Sequence, residues 1–143
     1  MILFLDFDGV LHPFPTPEDS SQLFVNRDRL ESVLRDYPNV NVVISSTWRE
    51  SLSLSALAAL FSSDIQSRIV DVLPVIEIHS LADMEAIRFR EIHQYLNGSS
   101  DNWVALDDDL DLFPSGCANL IQCVAGFGDA EAKKLRSFLS AEG

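Results

Sequence analysis

At 143 residues the chain has the length of one domain, 1–143, and its 47% hydrophobic and 22% charged residues exclude a disordered polymer. Ten Lys and Arg against 22 Asp and Glu leave a net charge of −12, which opposes sequence-independent binding to nucleic-acid backbones or anionic lipid, since both run on clustered cations. Two cysteines, Cys117 and Cys123, are too few for a disulfide framework or a zinc cluster and read as reduced core residues of a cytoplasmic protein, and no apolar run reaches the roughly 18 residues of a membrane span.

Ile2 to Leu5 is wholly apolar and breaks into Asp6-Phe7-Asp8-Gly9, the pattern of a strand buried on both faces of a parallel sheet; without a basic start it is not a signal peptide. Pro13, Pro15 and Pro17 forbid regular helix over residues 10–25 and predict a loop or flap. Asn26 is placed to cap a helix whose Leu30, Val33, Leu34 and Tyr37 recur at helical spacing until Pro38. Val40 to Ile44 reads as the second strand, ending in Ser45-Ser46-Thr47-Trp48, with a helix over about Leu52 to Phe61 after it. Within the ambiguous stretch 62–83, Val75 to Ile78 is expected to be a short strand, near an edge because of Pro74. Met84 to Leu96 carries one apolar helical face and stops at Asn97-Gly98. Trp103 to Leu106 is a buried strand running into Asp107-Asp108-Asp109; Leu120 to Val124 is the last strand, and Asp129 opens a closing helix with Leu135, Phe138 and Leu139 inward.

Strands alternating with helices predict an α/β, three-layer, Rossmann-like fold: a parallel sheet of about five strands with helices on both faces. Ligands of such sheets bind beyond the carboxyl ends of the strands, where the strand order reverses. The residues there are Asp6 and Asp8, Ser45 and Ser46, and Asp107 and Asp108. Four carboxylates at one sheet edge repel one another unless a counterion joins them, and Mg²⁺ takes such oxygens together with water and a phosphate. Aspartate can act as a covalent nucleophile toward phosphorus, and a second acid two residues on can protonate the leaving oxygen.

Asp6-Phe7-Asp8-Gly9-Val10-Leu11 resembles the first motif of the haloacid dehalogenase (HAD) superfamily of phosphohydrolases, DxDGxL after a hydrophobic strand. Val42-Val43-Ile44-Ser45 resembles its second motif and Ala105-Leu106-Asp107-Asp108 its fourth, in the same order, over residues 2 to about 111. The Asp-Gly-Val-Leu-His-Pro opening, Ser-Ser-Thr-Trp-Arg, Arg-Glu-Ile-His-Gln-Tyr-Leu and Trp-Val-Ala-Leu-Asp-Asp are similar to small stand-alone HAD domains related to those of RNA-repair proteins. The resemblance implies Asp6 as nucleophile and Mg²⁺ ligand, and Asp8 as general acid/base lending its backbone carbonyl to the metal. It implies Ser45 as donor to the phosphoryl oxygens with Ser46 beside it, and Asp107 and Asp108 as the rest of the metal site, with Asp111 an alternative.

One element of that pattern is missing: the third motif's lysine. Lys133 and Lys134 lie in the closing helix, beyond the last motif. Arg88 and Arg90 are the substitutes, Arg88 preferred because it shares a helical face with Ile92, and Arg49 is a candidate contact to substrate phosphate. Plainer readings stand beside these. Ser45 and Ser46 fit a turn and a helix cap, Asp107 to Asp109 a solvated turn and Arg88 a surface charge; His12, His79 and His93 read as structural, and Trp48 and Trp103 as packing residues.

The function expected is a Mg²⁺-dependent phosphatase acting through an aspartyl phosphate. The segments where larger relatives carry a cap are too short to hold one, which implies an open site for a bulky phosphorylated substrate, or closure by an oligomer partner. The charge argues against nucleic acid as that substrate. The alternative is a metal- and phosphate-binding regulatory module without turnover, which the missing lysine favours. A response-regulator receiver fits poorly, for want of an aspartate after the third strand and a lysine after the fifth.

Overall fold

Ile2–Leu5 (β1) has no polar residue. In the computed structural model, which describes residues 1–142, it is the middle strand of a five-stranded sheet. The others are Asn41–Ile44 (β2), Ile69–Val72 (β3), Trp103–Asp107 (β4) and Leu120–Gln122 (β5), all parallel, in the order β3-β2-β1-β4-β5. Leu5 pairs with Ile44 on one side and Leu106 on the other, so the central strands end in register. The chain builds outward from β1 in one direction through β2 and β3, then crosses back to lay down β4 and β5.

That reversal sorts the helices. Right-handed crossovers put Arg27–Asp36 (α1) and Leu54–Ala58 (α2) on one face, where Asp129–Glu142 (α4) joins them, and Ile87–Leu96 (α3) on the other. The first face buries Leu3, Leu5, Val42, Ile44, Val104 and Leu106 under Leu30, Leu34, Leu57 and Leu135. The second buries Phe4, Val43 and Ala105 under Ile92 and Leu96, with Phe113 and Trp103 beside them. Burial on both faces is why these strands read as unbroken apolar runs. Among the described residues no helix is long and apolar enough to cross a membrane.

The third strand is Ile69–Val72, not Val75 to Ile78 as the sequence suggested. It is an edge strand with a register shift opposite Val42 and Val43; Val70 is exposed, and half-buried Asp71 interrupts the apolar run that marks the inner strands. Beyond Pro74, Val75 and Ile78 are exposed and unpaired. The second helix is shorter than expected, starting where the Ser53 hydroxyl accepts from Ala56 N at 3.1 Å. Asn26 does not cap α1 through its side chain; its Nδ2 donates to Val10 O at 3.0 Å, stitching the loop after β1 to the helix start. The third helix begins at Ile87, because residues Leu81–Met84 form a separate 3₁₀ turn that leaves Met84 exposed, and it ends as expected at left-handed Asn97 and Gly98. The last strand stops at Gln122, with Val124 exposed. Both cysteines are free, Cys123 buried and Cys117 half-buried.

Candidate active site

Because β1 and β4 end in register, Asp6 and Asp107 stand side by side at the carboxyl edge, where the chain reverses direction. Asp6 N donates to Leu106 O at 3.1 Å, which fixes the backbone from which its carboxylate projects. Asp107 is 1% exposed and Asp6 9%. Together with Asp108 they offer three carboxylate oxygens within 4.8 Å of one another. Gly9 makes room for this. Its φ is +79°, and a Cβ there would lie 2.1 Å from Asp108 Oδ2.

Burial and the charge of Asp107 push the Asp6 carboxyl up to about 8, against the pull of Arg88. Burial likewise raises Asp107 to about 7, with Asp108 adding to the rise and Arg88 and the Asp109 amide opposing it. Asp107 Oδ1 accepts from Asp109 N at 3.1 Å, whereas Oδ2 is buried without a hydrogen-bond partner. A carboxylate oxygen orphaned beside two further carboxylates is what a hard divalent cation would satisfy, so the donor set fits Mg²⁺.

Asp8 lines the same cleft, but its carboxylate is not one of the three that converge. It is clamped instead. Oδ1 meets His12 Nε2 at 2.7 Å and accepts from Thr16 Oγ1 at 2.8 Å; Oδ2 accepts from Trp48 Nε1 at 3.2 Å. His12 is fully buried, and its Nδ1 accepts from Phe24 N at 3.4 Å, so the ring presents an Nε2 proton to Asp8. Reading His12 as merely structural therefore missed its contact with the first motif. Trp48 does pack, edge-on against Phe7 and Phe24, while also reaching Asp8.

Ser45 and Ser46 are buried beneath the cleft rather than on its wall. Ser45 N pairs with Leu5 O, and the Ser46 hydroxyl accepts from Trp48 N, opening the 3₁₀ turn Thr47–Glu50. Thr47, which the sequence reading passed over, lines the cleft.

The arginines divide their work. Arg88 lines the cleft; its Nη1 donates to Glu91 Oε1, and its Nε lies 4.0 Å from the orphaned Asp107 Oδ2. Arg49, the candidate contact to substrate phosphate, does not line the cleft. Its side chain is buried, donating to the carbonyls of Ser45, Ser46, Leu73 and Pro74 and to Glu91 Oε2 at 2.9 Å. Burial and the nearby charge of Arg88 lower its pKa. Arg90 turns away to the carbonyls of Asp83 and Glu85. Glu91, three residues after Arg88, was the signal in the sequence for this network.

The cleft has a volume of about 500 Å³ and is open to solvent; Phe14, Asp109, Leu110, Asp111, Leu112 and Gln122 complete its wall. Asp111 thus stands at the rim, outside the converging trio.

Comparison with curated proteins gave no match, and neither did comparison with solved structures. A family model described as "HAD domain in Swiss Army Knife RNA repair proteins" matches residues 2–132, the span that carries all five strands and every residue of the cleft. The chain belongs to that family of HAD domains.

Proposed function

We propose that the cleft hydrolyses phosphomonoesters through an aspartyl phosphate on Asp6. The observation that supports this best is the orphaned Asp107 Oδ2, buried beside Asp6 and Asp108 and 4.0 Å from Arg88 Nε at the base of an open cleft. Mg²⁺ held by Asp6, Asp107 and Asp108 would offset the charge gathered on the carboxylates and the phosphoryl oxygens.

Asp6 attacks phosphorus, and the bond to the ester oxygen breaks. Asp8, held by His12, Thr16 and Trp48, hands that oxygen a proton as it leaves. Water then attacks the aspartyl phosphate, giving its proton to Asp8 and releasing inorganic phosphate. Arg88 supplies the positive charge that the superfamily's lysine supplies elsewhere, and Thr47 offers a hydroxyl from the cleft lining.

The test is release of phosphate from p-nitrophenyl phosphate with and without Mg²⁺. Asp6→Asn should lower the rate by about a thousandfold or more. Equal rates for the two proteins would remove Asp6 as nucleophile.

A second reading, a module that binds metal and phosphate without turnover, draws support from the lysines. Lys133 and Lys134 are both exposed on α4, outside the cleft. Magnesium-dependent phosphate binding with no release of product from any ester would favour it.

The family's description comes from RNA repair proteins, which makes a strand-end phosphate one ester to consider. The six aspartates lining the cleft and the net charge of −12 oppose the remainder of a strand.

A further inference from the structure

The hydrolytic reading leaves part of the cleft without a role. Phe14 is 68% exposed and Leu110 55% exposed, and both line the cleft that holds Asp6 and Asp107. They arrive from separate segments, Phe14 from the proline-rich loop after β1 and Leu110 from the 3₁₀ turn after β4. Neither belongs to either hydrophobic core. Phe14 also borders a hollow lined by Val25 and Val124. Pro13 and Pro15 flank it and restrict its backbone, so less freedom is lost when something settles on the ring.

Charge narrows what can settle there. The cleft wall carries six aspartates and one arginine, and a divalent ion in the Asp6–Asp107–Asp108 trio offsets only two of those charges. A second phosphate on the substrate would meet Asp109 and Asp111 at the rim without a cation to receive it. An uncharged group meets no such penalty, and a flat one gains contact with an aromatic face.

Resting on the phosphoester reading of the cleft, we propose that the organic part of the substrate is a flat, uncharged ring system, bearing no phosphate besides the one transferred, seated against Phe14 and Leu110. An aryl phosphate and a nucleoside monophosphate share this chemistry; glycerol phosphate and polyphosphorylated esters lack it.

The experiment has two arms. In the first, kcat and KM are measured with Mg²⁺ for 1-naphthyl phosphate, adenosine 5′-monophosphate, glycerol 2-phosphate and a 5′-phosphorylated oligonucleotide. One or both ring esters should show a KM about tenfold below glycerol 2-phosphate, and the one preferred identifies the source. Phe14→Ala should raise that KM about tenfold and leave kcat, and the KM for glycerol 2-phosphate, within about twofold. Phe14 is exposed, so the variant keeps its fold, and its melting temperature checks this.

The second arm needs no turnover: calorimetric binding of 1-naphthylmethylphosphonate against methylphosphonate in the presence of Mg²⁺. The naphthyl compound should bind about tenfold tighter, and Phe14→Ala should erase the difference. Ring-selective binding without hydrolysis would uphold this inference and overturn the hydrolase. Equal binding of the two phosphonates, no binding of either, no effect of Phe14→Ala, or preference for the oligonucleotide would overturn the inference itself.

Discussion

Arg49 and Glu91 form a buried ion pair, Nη2 to Oε2 at 2.9 Å, that joins the turn after β2 to the middle of α3. The same carboxylate takes Arg88 Nη1 on its other oxygen and the Ile76 amide at 3.1 Å. Glu91 is thus the only acid between two buried guanidinium groups among the described residues, and it fixes where Arg88 stands. Glu91→Gln should lower the unfolding free energy in urea by about 3–5 kcal/mol, since buried Arg49 then loses its carboxylate and Arg88 the nearer of its two. The double variant Arg49→Met/Glu91→Leu should be less destabilised than Glu91→Gln, and both should lose phosphate release as Arg88 shifts.

Gly9 and Gly98 both hold positive φ, +79° and +80°, yet only Gly9 has a close neighbour. Each change to Ala should cost about 1–2 kcal/mol of stability from the left-handed backbone alone. Gly9→Ala also drives its Cβ into Asp108, so it should lose the rise in melting temperature that Mg²⁺ produces, whereas Gly98→Ala should keep it. Equal Mg²⁺ responses in the two variants would show that Asp108 does not contribute to the metal site.

The raised Asp6 and Asp107 carboxyls give the metal-free protein a pH signature. Unfolded, each titrates at the ordinary carboxyl value of 3.8; folded, they rise to about 8 and about 7. Between these limits the native state binds more protons than the unfolded chain, so this contribution to stability is full below about 4 and falls as pH rises toward 8. Metal-free protein should therefore melt lower at pH 8 than at pH 5.5. Mg²⁺ should raise the melting temperature more at pH 8, because its ligands must be deprotonated.

Trp48→Phe keeps the aromatic packing on Phe7 and Phe24 and deletes the Nε1 donor to Asp8. Stability should fall by only about 1 kcal/mol. The rate of phosphate release should fall about tenfold with little change in KM, because an acid free to rotate spends less time on the leaving oxygen. A KM effect with unchanged kcat would assign Trp48 to substrate binding instead.

The ends of the inner strands were legible because both faces of the sheet are covered: apolar runs of three or four residues ending in Asp6, Ser45 and Asp107 have no other simple reading. Ile69–Val72 was not, since an edge strand with a bulge and an acid in its middle has no such run. The acids were visible, but not what holds them. His12, Trp48 and Glu91 act through contacts that depend on how loops and helices dock, and Arg49, the candidate contact to substrate phosphate, is occupied by carbonyls that only the folded chain brings to it. Thr47 lay one residue beyond the two serines that drew the reading.

Asp6 and Asp107 are 101 positions apart and meet only once β4 has zipped onto β1, the pairing that closes the longest loop of the sheet. Such a pairing tends to come late in folding, because chain entropy must be lost before it is rewarded. An ion lodged between them therefore recognises the finished molecule and none of its precursors, and by mass action each tenfold rise in free ion above its dissociation constant deepens the native well by about 1.4 kcal/mol. Fragments ending before Trp103 would lack Asp107 and Asp108 altogether, leaving ion uptake as a reporter of the completed fold.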